Sequence, residues 1–400
     1  MPESLGVPNS HYLKAYQRHR TEPFDIFLYQ LEDGSRSRFV RASIGIMPGI
    51  TWFHDLFFQD LGPEATHTSP WESSIQQILD PSVPFPDRAV APHQLWPRAF
   101  RELSLSPVSL FSSQWALAES RTMISSRIES HLGAHRCSLL PVPVEKAEAA
   151  PLPARDVLRV VTPAGPGHEG RAHKFLPALK ALNSPWHLTW LLAPDERGAA
   201  EALVREFDLS PRVTLQFGRT PAAWAAMLRS AHVALHLHTS SFGHLAPFLH
   251  MSLASGRLAV VSDMAQGEDI PASAAMRIIP GISEGMQLVH ALRAAQEIDI
   301  LQATEPARHY VDQHHSPHAV AARLSTLLRE AAPLLASPMA QWEHLYARAH
   351  DALMSEVREL VGGANDAGLD PFARLVSPAI GEISMGAPGR RVAEHRAPAT

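Results

Sequence analysis

Between residues 156 and 296, short runs of apolar residues recur at even spacing along the chain. They read VLRVVTPA (157–164), HLTWLLA (187–193), RVTLQFG (212–218), VALHLHT (233–239), LAVVSD (258–263) and MRIIP (276–280). Near-continuous apolarity, as opposed to strict alternation with polar residues, marks strands buried on both faces. The intervening segments, 173–182, 196–207, 221–230, 244–255 and 283–295, carry helical patterns. Strand and helix alternating through short connections predict a parallel sheet covered on both sides.

The first part of the chain repeats this theme less regularly. Residues 24–31, FDIFLYQL, read as a buried strand ending at the turn Glu32-Asp33-Gly34. A helix-like stretch follows, then a second short strand within 49–55 that stops at His54, and a third at 108–111 with a helix from about Ser113. Polar groups at the carboxyl end of a strand stand where open parallel sheets place ligands. Residues 61–100 are proline-rich and are expected to form a lid or surface insertion. The segment 141–156, PVPVEKAEAAPLPARD, has neither helical nor strand period and reads as an interdomain linker. Two helical patterns occupy 318–361. The expected organisation is an N-terminal Rossmann-like domain over 1–145, a second over 146–335, a helical closure over 336–375 and a disordered tail over 376–400.

Composition narrows the partners. With 400 residues, 45% of them hydrophobic, the chain suits two α/β domains better than one core. A net charge of −5 without any dense Lys/Arg block excludes a nucleic-acid-coating surface. Cys137 is the one cysteine, which excludes an intrachain disulfide and a Cys-based zinc site and fits a reducing cytoplasm. The start, MPESLGVPNS, lacks a basic segment followed by an apolar stretch, and no run reaches the roughly 18 apolar residues of a membrane span. A soluble cytoplasmic protein is expected, compatible with a peripheral membrane contact. Histidine is abundant, at 23 residues, and pairs up as His236/His238, His314/His315 and His131/His135. Without carboxylates or cysteines at ligand spacing these read as solvated or locally satisfied side chains, so no metal site is expected.

Two loops suit an anion. Gly165-Pro-Gly167-His-Glu-Gly170-Arg171 matches G-x-G-x-x-G formally and lies between a strand and a helix. Glycines let backbone amides approach a phosphate, and a helix start adds partial positive charge. Arg171 and Lys174 lie just inside the predicted helix, within reach of the loop. A plain tight turn and a solvated helix face account for the same residues equally well. A nicotinamide reading needs an acidic residue about 20 positions on, and Asp195 comes too late. The second loop, Ser240, Ser241, Phe242 and Gly243, leads into a helix near His244. It suits a diphosphate or sugar hydroxyls, or serves as a serine helix cap.

Ordered fragments across about residues 23–330 resemble family-4 retaining glycosyltransferases of the GT-B fold. They are a strand ending at Phe217-Gly218, Met227-Leu228-Arg229-Ser230-Ala231-His232, Leu253-Ala254-Ser255-Gly256-Arg257 and Val260-Val261-Ser262-Asp263. The N-terminal half resembles a subset of that family in Phe24-Asp-Ile-Phe-Leu-Tyr-Gln-Leu31, Phe39, Pro48-Gly49 and Phe53-His54-Asp55. The resemblance implies two Rossmann-like domains facing a cleft, the first on the acceptor side and abridged, the second binding a nucleotide-diphosphate sugar. It implies transfer to an unknown acceptor with retention of configuration, with no cofactor beyond the donor and no metal.

Carried over by position, the resemblance places His54 and Asp55 in the cleft near the donor sugar or acceptor. Arg171 and Lys174 would neutralise the departing diphosphate. Gly165 and Gly167 belong to the phosphate loop, Gly218 and Arg219 border the base, and Ser240, Ser241, Phe242, Gly243 and His244 hold sugar and diphosphate. Glu268, beside Asp269, stands where the family has an acidic residue. The family's carboxylate in the sugar loop has no counterpart, since Ser241 or His244 takes its place. This departure and the abridged first domain motivate an alternative, a catalytically silent subunit completed by a protein partner.

Overall fold

The computed structural model of the chain describes residues 15, 18–19, 22–32, 37–56, 70–71, 74–75, 99–121, 136–145, 151–168, 170–238 and 247–361. The first sheet is built from β1 (Leu28–Leu31), β2 (Ile50–Phe53), β3 (Val108–Phe111) and β4 (Arg136–Leu139), side by side in that order and all parallel. Leu31, Phe53, Phe111 and Leu139 are partners across it, so the four carboxyl ends form a level lip. Helices α1 (Arg38–Ile46), α2 (Phe100–Leu105) and α3 (Gln114–Arg121) belong to this sheet's connections. Every residue of β2 and β3 is buried, which is why their runs are wholly apolar apart from Thr51 and Ser109. The sequence reading missed β4: its RCSL is a half-buried edge strand with no apolar run.

The second sheet contains β5 (Leu158–Thr162), β6 (Trp186–Leu192), β7 (Val213–Phe217), β8 (Val233–His236), β9 (Leu258–Ser262) and β10 (Met276–Ile278), again parallel. Its order is β10-β9-β8-β5-β6-β7, so the direction of strand addition reverses between β5 and β8. Helices α4 (Ala172–Lys180), α5 (Arg197–Glu206), α6 (Pro221–Arg229), α7 (Pro247–Ala254) and α8 (Glu284–Glu297) alternate with these strands. One face buries Phe175, Leu179, Trp190 and Leu292, and the other buries Trp224, Met227 and Leu228.

Beyond α8 come α9 (Ile300–Ala303), α10 (Glu305–His314) and α11 (Pro317–Val361). The two helical patterns expected over 318–361 are one 45-residue helix with Pro333 and Pro338 inside it. An interior proline removes a hydrogen bond and costs about 3 kcal/mol, but here the helix is held by what it covers. Val320, Leu327, Ala331 and Leu335 pack with Ile50, Trp52, Val108 and Leu110, which returns the chain to the first sheet from Val320 onward. Farther along, Trp342 is buried, and its Nε1 and the Tyr346 hydroxyl both donate to the Ile46 carbonyl, at 2.7 and 3.0 Å.

The chain thus crosses between domains twice, through the segment after β4 and at the α10–α11 junction. The crossings are bonded to each other: the Val144 amide donates to His315 O at 2.7 Å, and His315 Nδ1 lies 3.0 Å from Val142 O. Most of the proline-rich stretch 61–100 and the whole tail 376–400 lie outside the described residues. Trp71 and Ile75 are fully buried in the first domain's core.

Replacing Trp342 by alanine removes a buried indole and its hydrogen bond. Urea denaturation followed by a first-domain probe is expected to show a loss of about 3 to 5 kcal/mol, against a loss under 1 kcal/mol if α11 were only loosely apposed.

Candidate functional site

His54 and Asp55 follow β2 directly, on the lip of the first sheet. The His54 amide continues the ladder by donating to Leu31 O at 2.8 Å. Its ring packs against Trp52 at a tilt of 53° with centroids 4.6 Å apart, and its Nδ1 is 2.9 Å from the Ser112 hydroxyl. Burial pushes the imidazole down to about 4, against the opposing pull of Asp55, so the ring is neutral at neutral pH. Such a ring works as a hydrogen-bonding group and is a weak proton acceptor. Asp55 is itself buried.

The two lips face each other, and the contact between them is polar. After β9, the turn Ala265–Asp269 carries the Asp269 carboxylate to the start of α3. The Gln114 amide donates to its Oδ2 at 2.7 Å and the Trp115 amide to its Oδ1 at 3.1 Å. The next amide, of Ala116, donates to Ser113 Oγ at 3.1 Å. The opening amides of a helix have no intrahelical partner, and here three of them are capped, two from across the domain boundary. Burial raises Asp269 to about 6, although the two amide bonds lower it. Arg277 braces the same turn, donating to Asp263 Oδ1 at 2.9 Å, to Glu268 O at 3.1 Å and to Ile270 O.

Across the crevice lies the loop after β5. Thr162 Oγ1 donates to Leu235 O at 3.0 Å and accepts from the Ala164 amide, while Trp190 Nε1 donates to Ala164 O at 2.6 Å. A side chain on Gly170 would put its Cβ 2.0 Å from Gly165 O, so these two glycines are fixed by the turn's own packing. Gly167 has open space where a Cβ would stand. The loop ends at Arg171, in the left-handed region at φ 58°, which a residue with a Cβ seldom occupies. Its side chain is buried and paired with fully buried Glu284, with Nε 2.9 Å from Oε1 and Nη2 on Oε2.

The other expected donor-side residues sit as follows. Arg219, after the left-handed Gly218 (φ 95°), pairs with Glu196 at 2.9 Å, and the Ala193 amide donates to the same carboxylate. A Cβ on Gly165 would approach Glu196 Oε1 to 2.9 Å, so loop, arginine and glutamate meet at one point. Lys174 is half-buried in the first turn of α4 and, with His173, Ile282, Met286 and Arg293, lines an open groove of about 580 Å³ against α8. Glu268 is exposed. Ser240, Ser241, Phe242, Gly243 and His244 lie outside the described residues. Of the clustered histidines, His236 is fully buried against Ser252 and Trp224, and His315 is buried at the crossings.

Sequence reasoning missed Ser112, the two carboxylates that engage the loop arginines, and the capping role of Asp269, which the resemblance marked only as a neighbour of the family's acidic position. Its bonding partners are more than 150 residues away and leave no local signal. Among the described residues, no three His, Cys, Asp or Glu side chains gather as a metal site would require. Nor is any helix among them long and apolar enough to cross a membrane.

Two parallel α/β domains with opposed carboxyl ends, closed by a C-terminal helix that returns to the first domain, are the architecture of GT-B glycosyltransferases. Comparison with solved structures bears out that fold. Sucrose-phosphate synthase from Thermosynechococcus elongatus aligns with TM-score 0.56 at 15% identity, over 80% of this chain and 77% of that one. HepE of Anabaena, in complex with UDP and glucose, gives 0.55 at 12% identity over 79% and 80%. A glycosyltransferase from Rickettsia africae gives 0.52 at 11% over 82% and 84%. At such identities the likeness is one of fold. No family model matches the chain, and no curated protein sequence does either.

Removing one member of a buried ion pair strands the other, so Arg171→Ala or Glu284→Gln is expected to lower stability by about 3 to 5 kcal/mol, and the apolar double variant Arg171→Leu/Glu284→Met by much less. Additive losses in a denaturation-based double-mutant cycle would contradict the pairing.

Asp269 has a folded-state pKa above its ordinary 3.8. Its contribution is therefore full below that value and is lost as pH rises through about 6. Asp269→Asn should flatten the stability profile between pH 4 and 6.5 relative to the parent, and an unchanged slope would remove Asp269 as its source.

Proposed function

We propose that this chain is a glycosyltransferase that moves a sugar from a nucleotide-diphosphate donor to an acceptor with retention of configuration. One observation carries the reading: the strand order of the second sheet reverses between β5 and β8, and the glycine loop follows β5 at that switch point, where open α/β sheets bind ligands. In this reading the glycine loop serves one side of the crevice between the domains, and His54, Asp55 and Ser112 serve the other. HepE's complex with UDP and glucose makes UDP-glucose the first donor to test.

In this reading the diphosphate rests on the amides of the Gly165–Gly170 turn and the start of α4, with Gly167 allowing close approach. Lys174 supplies mobile positive charge to the departing diphosphate. Arg171, spent on Glu284, shapes the loop. Gly218 and Arg219 border the base, Ser240, Ser241, Phe242, Gly243 and His244 hold sugar and diphosphate, and Glu268 reaches a sugar hydroxyl. A donor phosphate oxygen takes the acceptor proton as the glycosidic bond breaks on the same face, and amides and cations stabilise the charge that develops. Neutral His54 orients a sugar hydroxyl by hydrogen bonding, consistent with its low basicity. The setting is cytoplasmic, and the reaction uses no metal.

A second reading, a silent subunit acting in a protein complex, is favoured by the same arginines: Arg171 and Arg219 are each already neutralised by a carboxylate.

Calorimetry should detect UDP binding, with Lys174→Ala weakening it by about 1.5 to 3 kcal/mol. His54→Ala should depress turnover of UDP-glucose while leaving UDP affinity unchanged. UDP binding without donor turnover across a panel of acceptors would favour the silent subunit, turnover at an ordinary enzymatic rate would end it, and no binding of any nucleotide would end the transferase reading.

A further inference from the structure

A second cavity, of about 350 Å³, lies beside the hinge, behind the Asp269 contact. Its size is within the roughly 300 to 1,000 Å³ of small-molecule sites. Both domains line it. Ser112 comes from the first sheet's lip, while His250, Asp269 and Tyr310 come from the second domain. His315 closes the inner end at the crossings, and Gln313 and Arg323 stand at the exposed rim.

We propose that this cavity binds a neutral polyhydroxylated ligand, a monosaccharide or cyclic polyol, held by side chains of both domains. The reasoning is by elimination and by match. An apolar ligand would cut the remaining bonding capacity of the hydroxyls and the carboxylate off from water, although each of these groups already has one protein partner. A phosphate or other anion would meet the Asp269 carboxylate, whose charge the rim guanidinium of Arg323, itself donating to Leu139 O, offsets only about once over. What the cavity offers is an alternation of donors and acceptors: a serine hydroxyl, a phenol, an amide, imidazoles and one carboxylate. Vicinal hydroxyls, each one donor and two acceptors, match that alternation.

The cavity also has flat surfaces. His250 and His315 lie ring against ring, tilted by 34° with centroids 4.1 Å apart, and the Tyr310 hydroxyl is 3.3 Å from His315 Nε2. Burial keeps His315 below the ordinary imidazole range, so it contributes a neutral ring. A ligand touching Ser112 on one side and Tyr310 on the other favours the arrangement in which the domains are joined, because it loses half its partners when they part. Ser112 also bonds His54, so occupancy is relayed to the crevice through one hydroxyl. The inference does not depend on the reading of the crevice.

The experiment uses the full chain and titrates glucose, galactose, mannose, N-acetylglucosamine, myo-inositol and, as the anionic control, glucose 6-phosphate by calorimetry and saturation-transfer NMR, with and without UDP. At least one neutral ligand should bind saturably and still bind with UDP present. Gln313→Ala and Tyr310→Phe should each weaken it about five-fold or more, with UDP affinity and thermal midpoint unchanged. Absence of saturable binding, binding that both variants leave intact, or binding confined to glucose 6-phosphate overturns the inference. UDP affinity, read on the same samples, reports on the crevice separately, so either idea can fail alone.

Discussion

The relative placement of the two sheets turns on the unfilled hydrogen-bonding capacity at the start of α3. That helix begins at the lip of the first sheet, and its opening amides must be satisfied. Ser113 covers one, and the Asp269 carboxylate from the second domain covers two more. Level carboxyl ends in the first sheet make this possible, since they bring His54, Ser112 and α3 to one height. A partly buried carboxylate is costly unless bonded, and here the bonds lie on the partner domain. Each domain therefore completes the polar bonding of the other.

The same economy governs the second domain's loops. Arg171 and Arg219 lie beside the loop after β5, and each is held by a carboxylate, Glu284 and Glu196. These pairs fix loop shape: Arg171 holds a left-handed backbone at the helix start, and Glu196 stands against Gly165. Gly165 and Gly170 touch backbone to backbone, which leaves Gly167 as the glycine with room above it.

Much of this architecture was legible in the chain. Central strands such as β8 and β9 are buried at every position and announce themselves as unbroken apolar runs. Edge strand β4 does not, because RCSL is only half covered. The unity of α11 was obscured by Pro333 and Pro338, whose local preference is overridden by packing on Trp52 and Leu110. The glycine spacing marked the loop that joins β5 to α4, and His54 follows β2 on the lip, as its place after an apolar strand indicated. The partners Glu196, Glu284 and Ser112 were invisible, since contacts across tens to more than a hundred residues follow no sequence period. Ser240 to His244 lie outside the described residues.

The paired crossings set the permitted motion. Because Val142 and Val144 are bonded to His315, the two chain passages run together as one narrow strap instead of two separate posts. Widely spaced posts would lock the domains, and a lone passage would let them twist freely. A single strap leaves one easy degree of freedom, a book-like swing about itself. The farther a residue sits from that axis, the larger its excursion, so the outer rim of the crevice travels most while the pages stay registered at the spine.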